Sequence, residues 1–259
     1  MAGVAPKGLE PGGGGVTRGG GLPDMLVREG DQRTIDIDIR LAALLAGIAG
    51  ALNAAGFAAA GFFSANMTGN VSAFSEHLGL GQFGPAATFG LLIVMFISGA
   101  FISGLLIEAG RKRGVLAIYA YSITLEAMLL VALGLADLLL PAVPSGTALV
   151  VGLSFAMGVQ NAATTRISNA RVRTTHVSGM ATDIALAAAA LAASPAERPA
   201  ALARLRLYFS TIAAFLIGGV SGVIIYQRIG GYLLLISAIM LFAIALPEAR
   251  RAGRMRQAA

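Results

Sequence analysis

The run of residues 41–63 reads LAALLAGIAGALNAAGFAAAGFF and contains no charged side chain. A helix needs about 20 mostly apolar residues to cross the roughly 30 Å hydrocarbon core of a bilayer. Six runs in the chain meet or nearly meet this length, and they are residues 41–63, 87–109, 115–137, 146–165, 207–227 and 231–246. The sequence therefore predicts an all-α protein, a polytopic membrane bundle of six transmembrane helices.

The composition favours the same class of protein. Of the 259 residues, 56% are hydrophobic and only 12% are charged, whereas soluble domains carry about 25% charged residues. The mean hydropathy is +0.78. Such a chain cannot cover its apolar surface with polar groups, which excludes an ordinary soluble enzyme. It has no Cys and two His, so Cys chemistry is excluded and His-based chemistry has few candidates.

Composition also divides the chain into three parts. Residues 1–38 are Gly-rich and charged, which predicts a flexible cytoplasmic tail. Residues 39–246 hold the six spans, with halves at about 39–140 and 145–246. Residues 247–259 are predicted to be a basic cytoplasmic tail, and Pro247 is expected to end the last helix.

The basic residues predict the orientation. All of the 19 Lys and Arg except Arg228 fall in the two tails and in the second and fourth loops. By the positive-inside rule, this distribution places both termini in the cytoplasm. The net charge of +6 then reports orientation and contact with a lipid bilayer, and no nucleic-acid partner is expected.

Two shorter apolar segments, residues 70–80 and 179–194, are expected not to span. The first would form a helix only about 16 Å long. A seventh span at 179–194 would place Arg198, Arg204 and Arg206 outside and break the charge pattern. Both segments are predicted to be short re-entrant or interfacial half-helices.

The two halves of the chain resemble each other weakly. Asn53-Ala54-Ala55 matches Asn161-Ala162-Ala163, Thr68-Gly69 matches Ser178-Gly179, and Ala100-x-x-Ser103-Gly104 matches Gly218-x-x-Ser221-Gly222. Three spans per half would give the halves opposite orientations, which is the inverted-repeat plan of many transporters. That plan puts Thr68-Gly69 at the outer face and Ser178-Gly179 at the inner face. Chance similarity is the alternative.

Two stretches carry a resemblance to a known family. Residues 53–81 read NAAGFAAAGFFSANMTGNVSAFSEHLGLG, and residues 152–183 read GLSFAMGVQNAATTRISNARVRTTHVSGMATD. Together they resemble the signatures of the YoaK family, bacterial membrane proteins defined by the domain of unknown function 1275. The matching residues are Thr68, Gly69, Asn70, Gly158, Gln160, Asn161, Arg173, Thr174, Thr175 and Gly179.

The resemblance implies a multi-span protein of the bacterial cytoplasmic membrane and no particular substrate. Two positions depart from the family pattern. Many members have Asp in place of Asn53 and Thr in place of Ser178. If that Asp carries a proton in the relatives, this chain lacks that function.

Glu126 is the sharpest single candidate for a functional residue. It lies near the middle of the run 115–137. An ionisable group at that depth costs about 3 kcal/mol or more unless it is paired, hydrated or protonated. Our hypothesis is that Glu126 lines an internal cavity as a proton or cation site. A protonated Glu that bonds a neighbouring helix is the alternative.

Other polar groups near the spans could bind a solute. Asn53, Gln160 and Asn161 offer donors and acceptors inside the first and fourth spans, although they could equally bond helix to helix. Thr68 and Ser178 are expected to cap the short helices, and Gly69 and Gly179 to allow close backbone approach.

An anionic group could also bind at the start of the second short helix. Arg173, Thr174 and Thr175 precede that helix, and the first N–H groups of a helix attract anions. Ordinary capping, with the Arg contacting lipid phosphates, is the other interpretation.

Two classes of function remain open. The first is a small-solute secondary transporter working by alternating access, with Glu126, Asn53 and Asn161 in one midplane site. The second is a non-transporting accessory or signalling protein. The sequence shows no catalytic cluster, metal-ligand set or cofactor motif, so we expect no enzyme and no cofactor.

Overall fold

The computed structural model describes residues 25–26, 33–115, 117–140, 145–193 and 195–257. Eight α-helices make up most of this part of the chain. They are α1 Ile35–Ala60, α2 Met67–Gly79, α3 Phe83–Lys112, α4 Ile118–Leu139, α5 Ser145–Ile167, α6 Val177–Ala193, α7 Arg198–Ile229 and α8 Tyr232–Gln257. The prediction of an all-α protein is confirmed.

Six of these helices are long and apolar enough to cross a bilayer: α1, α3, α4, α5, α7 and α8. They coincide with the six predicted runs. The short helices α2 and α6 form at the two segments that were not expected to span. The outer surface of the bundle exposes large apolar side chains, among them Phe101 of α3 and Leu216 of α7, at 62% and 64%. Six apolar helices with such a surface indicate a multi-pass membrane protein.

Each half of the chain has the same order of helices, which is long, short, long, long. α1 packs against α7 as α5 packs against α3, and α2 contacts α3 as α6 contacts α7. α1 and α5 are central, with 67% and 56% of their apolar windows buried, whereas α3 and α7 are peripheral at 22% and 11%. The first helices of the two halves therefore form the centre of the bundle.

α1 and α5 contact each other in antiparallel directions. The Nε2 of Gln160, late in α5, donates to the carbonyl oxygen of Leu45, early in α1, at 3.1 Å. At the opposite ends, Gly146 lies against Ala59. Gly146 is near the start of α5 and Ala59 is near the end of α1, so the two helix directions are opposed.

Four glycines bring the helix backbones into close approach. A Cβ on Gly50 would meet the backbone of Phe215, and one on Gly158 would meet that of Phe96. On the partner helices, a Cβ on Gly218 would meet the backbone of Gly47, and one on Gly99 would meet that of Phe155. The contact of α1 with α7 thus repeats that of α5 with α3.

These contacts correct the register proposed from the sequence. Gly99 takes the place that corresponds to Gly218, so the assignment of Ala100 to that role is wrong by one residue. A Cβ on Gly104 would meet nothing within 4 Å. Small residues recur so often in this stretch that the sequence offers two registers, and only the partner helix distinguishes them.

Most of the predicted N-terminal tail, residues 1–24 and 27–32, lies outside the described residues, as does the loop 141–144. The described remainder is not separate from the bundle. Met25 and Leu26 are buried in the main apolar core. The N–H of Leu26 donates to Oε2 of buried Glu248 at 2.7 Å, which connects this segment to α8.

The start of α1 is held by local and long-range contacts. Thr34 caps the helix, because its Oγ1 accepts from the N–H of Ile37 at 3.4 Å. Asp38 in the first turn is buried and ion-pairs with Nε of Arg33 at 2.6 Å and Nε of Arg171 at 3.0 Å. Arg171 follows α5, so this cluster joins the start of α1 to the segment after α5.

The last helix is longer than the sequence predicts. α8 continues through Pro247 to Gln257, so the expected stop at Pro247 is wrong. Proline removes one helical hydrogen bond and disfavours the preceding turn, but it does not forbid a helix whose packing continues. Glu248, the next residue, is fully buried and accepts the bond from Leu26.

Candidate functional site

The chain reverses direction immediately after α1. Gly61 ends the helix with φ of 78°, a left-handed conformation that glycine adopts without strain. The chain then runs back along the helix, and the N–H of Ala65 donates to Oδ1 of Asn53 at 2.9 Å. The Nδ2 of Asn70 donates to the carbonyl oxygen of Phe63 at 3.2 Å, and this bond connects the returning segment to α2. The short helix α2 therefore begins beside α1, about two turns before its end.

The chain reverses in the same way after α5. Asn169 and Ala170 supply the positive φ values, at 52° and 63°. The returning segment then bonds to Asn161, whose Oδ1 accepts from Oγ1 of Thr175 at 2.9 Å. Asn161 and Asn53 therefore have the same role in the two halves, because the Oδ1 of each accepts a hydrogen bond from the segment that follows its own helix.

A hydrogen bond between Gln160 and Thr174 connects α5 to the segment that returns after it. The Nε2 of Gln160 donates to Oγ1 of Thr174 at 2.9 Å as well as to the carbonyl oxygen of Leu45. Both side chains are fully buried. The expectation that Gln160 binds a solute is therefore not supported by its place in the structure, where it connects α5, α1 and the returning segment.

The residues that begin the short helices differ from the expected ones. Asn66 caps α2, because its Oδ1 accepts from the N–H of Gly69 at 3.2 Å. Thr68 is the second residue of the helix, so its predicted capping role is wrong, and Ser178 holds the same position in α6. A Cβ on Gly69 would overlap the side chain of Asn66. Gly69 is therefore needed to make room for the cap.

His176 corresponds to Asn66 in the second half. It directly precedes α6, and a Cβ on Gly179 would overlap its ring. The carbonyl oxygen of His176 accepts the first helical bond, from the N–H of Met180 at 3.1 Å. Gly69 and Gly179 therefore have the same structural role, which is to leave room for the side chain of the residue that precedes the short helix.

The two reversals border one cavity of about 790 Å³. Its walls come from both halves and include three aromatic rings. The lining residues are Asn53, Phe63, Ala65, Asn66, Met67, Thr68, Gly69, Ser72, Phe96, Asn161, Thr165, Phe215, Arg173, Thr175, His176, Val177 and Ser178. A volume of this size is typical of sites for small organic molecules.

The two motifs, which the sequence predicts at opposite faces of the membrane, border one cavity in the structure. Thr68-Gly69 and Ser178 line the same cavity. Each motif follows a segment that returns alongside its own preceding helix, and the two returns bring the starts of α2 and α6 together. Asn70 and Gly179 belong to the motifs but are not among the lining residues.

Glu126 is not among the residues that line this cavity, so the structure does not bring it together with Asn53 and Asn161 there. It lies on α4, is fully buried, and neither carboxylate oxygen has a hydrogen-bond partner among the described residues. α4 packs mainly against α8 and α5. Glu126 lies near the middle of α4 and is buried in the bundle, as the sequence predicts. Which neighbouring helix its side chain faces depends on tertiary packing.

Sequence reasoning missed several lining residues. Asn66 could have been found, because Asn is a preferred N-cap and stands directly before the helical segment. Phe96 and Phe215 carry no such signal, since Phe in an apolar run faces lipid or interior with equal ease. They line the cavity because Gly158 and Gly50 pack on their backbones.

Six long apolar helices around a cavity that two chain reversals line with polar and aromatic side chains indicate a multi-pass membrane protein. Residues 41–246 match a family model described as Protein of unknown function (DUF1275), and the chain belongs to this family. The resemblance found from the two signature stretches is thereby confirmed. Comparison with curated proteins found no match, and comparison with solved structures found none.

Proposed function

We propose that the protein is a secondary transporter or permease for a small polar solute and works by alternating access. The observation that carries the proposal is the cavity of about 790 Å³ between two equivalent chain reversals. Many transporters bind solute where discontinuous helices of two repeats meet near the bilayer midplane. Here α2 and α6 are the discontinuous helices, and both begin at the cavity.

An inverted repeat is part of this proposal. It is supported by the antiparallel contact of α1 with α5, which are the first helices of the two halves. It is further supported by the paired contacts of Gly50 with Phe215 and Gly158 with Phe96. One pseudo-twofold axis between α1 and α5 relates these features and passes near the cavity.

The proposed orientation has both termini in the cytoplasm of a bacterium, with the helices in its inner membrane. The distribution of Lys and Arg supports it through the positive-inside rule. The bond from Leu26 to Glu248 also supports it, because that bond places a segment before α1 and the C-terminal part of α8 on the same side.

The proposed motion is a rocking of one group of helices against the other around the cavity. Glycine-lined contacts between α1 and α7, and between α5 and α3, bring backbones together without interlocking side chains. Such smooth contacts allow helices to slide by small amounts. The half-helices α2 and α6 would move with their reversals and close the cavity from either side.

Glu126 is proposed as a carrier of a coupling proton. Its two carboxylate oxygens lack hydrogen-bond partners in the described part of the chain, and it is fully buried. A charge in such surroundings is costly, so the group is stable there only when neutral or when a cation reaches it. Because Glu126 lies apart from the cavity, coupling would act through the movement of α4. The proposal assigns no catalytic reaction to the protein.

Site-directed labelling tests alternating access directly, because the chain contains no Cys. Single-cysteine variants Ser72→Cys and Ser178→Cys place a thiol on each side of the cavity. Reconstituted protein is treated with a membrane-impermeant maleimide from inside or from outside the vesicle. We expect each cysteine to react from both sides, since the cavity opens alternately to each.

The matched control is Ser75→Cys, a serine on α2 that is exposed but does not line the cavity. This thiol should react from one side at most. Reaction of Ser72→Cys and Ser178→Cys from one side only would contradict the transporter proposal and favour the accessory role. A solute screen in the same proteoliposomes, with Glu126→Gln for comparison, then identifies what is carried.

A further inference from the structure

The cavity offers hydrogen-bond donors from two helix starts. α2 begins at Met67 and α6 at Val177, and both residues line the cavity together with their neighbours Thr68 and Ser178. The first N–H groups of a helix have no partner within it, and the helix dipole places about half a positive charge at this end. Asn66 takes up only the N–H of Gly69 by its side chain. The N–H groups of Met67 and Thr68 have no partner among the described residues.

The charged side chains of the cavity point to the same ligand chemistry. Arg173 lines it and brings a permanent positive charge, and His176 lines it at the start of α6. Among the described residues that line the cavity there is no Asp or Glu. Asp183 lines a separate cavity of about 110 Å³, to which Arg173 and His176 also contribute.

Asn53 provides an independent observation. It is only 8% exposed and lines the cavity. Its Oδ1 accepts from the N–H of Ala65, which determines the orientation of the amide. The Nδ2 has no hydrogen-bond partner in the described part of the chain. Because Asn53 lines the cavity, this NH₂ group is available to donate to a ligand or to water there.

We infer that the cavity binds the anionic group of a small organic solute, a carboxylate or a phosphate ester. The starts of α2 and α6 and the Nδ2 of Asn53 offer hydrogen-bond donors, and Arg173 adds a positive charge; the described lining residues include no carboxylate to oppose them. Phe63, Phe96 and Phe215 then contact the apolar part of the solute. The inference rests on the proposed transport function and names its substrate class.

Both short helices contribute for a physical reason. A single helix start attracts an anion weakly in water, whereas two helix starts facing one partly enclosed cavity act together at lower effective dielectric. The hydroxyl of Thr175 donates its hydrogen to Oδ1 of Asn161, so it does not donate to the ligand. On the side of the cavity that the second reversal provides, the positive groups are Arg173 and the start of α6.

The test uses three probes of similar size and different charge, which are benzoate, benzamide and benzylamine, together with inorganic phosphate. Binding to the full chain in nanodiscs of phosphatidylcholine is measured by calorimetry. We expect benzoate to bind, benzamide to bind at least about tenfold more weakly, and benzylamine not to bind. Nanodiscs containing phosphatidylglycerol distinguish the source of the anion, since competition there identifies a lipid headgroup as an occupant of the same anion site.

Arg173→Gln and Arg166→Gln are the matched variants. Both arginines are exposed and close in sequence, but only Arg173 lines the cavity. Arg173→Gln should weaken benzoate binding by about tenfold or more and leave benzamide unchanged, and Arg166→Gln should change neither. Equal loss in both variants, preference for benzylamine, or no binding of any anion would overturn the inference.

The outcomes separate this inference from the proposed function. If benzoate binds in an Arg173-dependent way but labelling shows access from one side only, the anion site stands and transport fails. If labelling shows alternating access while the cavity prefers neutral or cationic probes, transport stands and the anion inference fails.

Discussion

The substitution Gly99→Ala tests the packing register of the bundle. A Cβ at this position would lie 2.9 Å from the carbonyl carbon of Phe155 on α5, and closer still to its oxygen. Carbon atoms in contact are normally about 3.5–4.0 Å apart, so α3 and α5 would have to separate by a sizeable fraction of an ångström. Forcing extra atoms into a packed contact costs typically about 1–3 kcal/mol. Because the obstacle is backbone, we take about 3 kcal/mol.

A second contribution opposes this cost. Alanine is favoured over glycine in a helix by about 1 kcal/mol. The net loss expected for Gly99→Ala is therefore about 2 kcal/mol. Gly104→Ala, in the same helix, is the matched control because a Cβ there meets nothing within 4 Å. The control keeps only the helix gain, so it should be neutral or stabilising by up to about 1 kcal/mol.

Reversible unfolding in mixed micelles, followed by circular dichroism, measures both variants against the parent chain. The two variants should differ by about 3 kcal/mol in free energy of unfolding. Equal effects would refute the register in which Gly99 corresponds to Gly218. A larger loss for Gly104→Ala would restore the register read from the sequence.

Three further predictions follow from individual contacts. Asp38→Ala should lower the free energy of unfolding by about 3–5 kcal/mol, since it removes the carboxylate that forms the ion pair with the buried Arg33; Asp36→Ala, whose carboxylate side is 66% exposed, should change it by less than about 1 kcal/mol in the same assay. Gly69→Ala should destabilise the protein in thermal unfolding because it displaces the cap of α2, and the loss should shrink in an Asn66→Ala background if the overlap is its cause. Glu126→Gln should fold with unchanged or higher thermal stability but lose solute uptake driven by a proton gradient; uptake equal to that of the parent chain would remove Glu126 from the proposed mechanism.

The candidate site was only partly predictable. Seven residues that were singled out from the sequence line the cavity, namely Asn53, Asn161, Thr68, Gly69, Arg173, Thr175 and Ser178. They could be found because a polar or helix-breaking residue within an apolar run needs a reason. Glu126 satisfied the same criterion and yet lies elsewhere. The cost of a buried carboxyl is a local property, whereas the neighbours it faces depend on how α4 packs.

The sequence also did not predict that the two motifs border one cavity. Counting three spans per half places Thr68 and Ser178 at opposite faces, because counting assumes that the chain continues outward after each span. Gly61 in one half, and Asn169 with Ala170 in the other, instead turn the chain back. The bonds to Asn53 and Asn161 then hold each return at depth. Nothing in a hydropathy pattern reports how far a returning segment penetrates.

Three properties could be predicted from the order of the amino acids alone: the class of the protein, the number of long apolar helices and the membership of its family. These properties depend on local composition, since about 20 apolar residues in a row suffice for a spanning helix whatever surrounds them. Three other facts follow from tertiary packing. Two distant motifs line one cavity, Gly99 rather than Ala100 takes the close contact with the backbone of α5, and Glu126 is not among the residues that line the cavity. Those facts depend on contacts between residues far apart along the chain, which helix packing alone specifies.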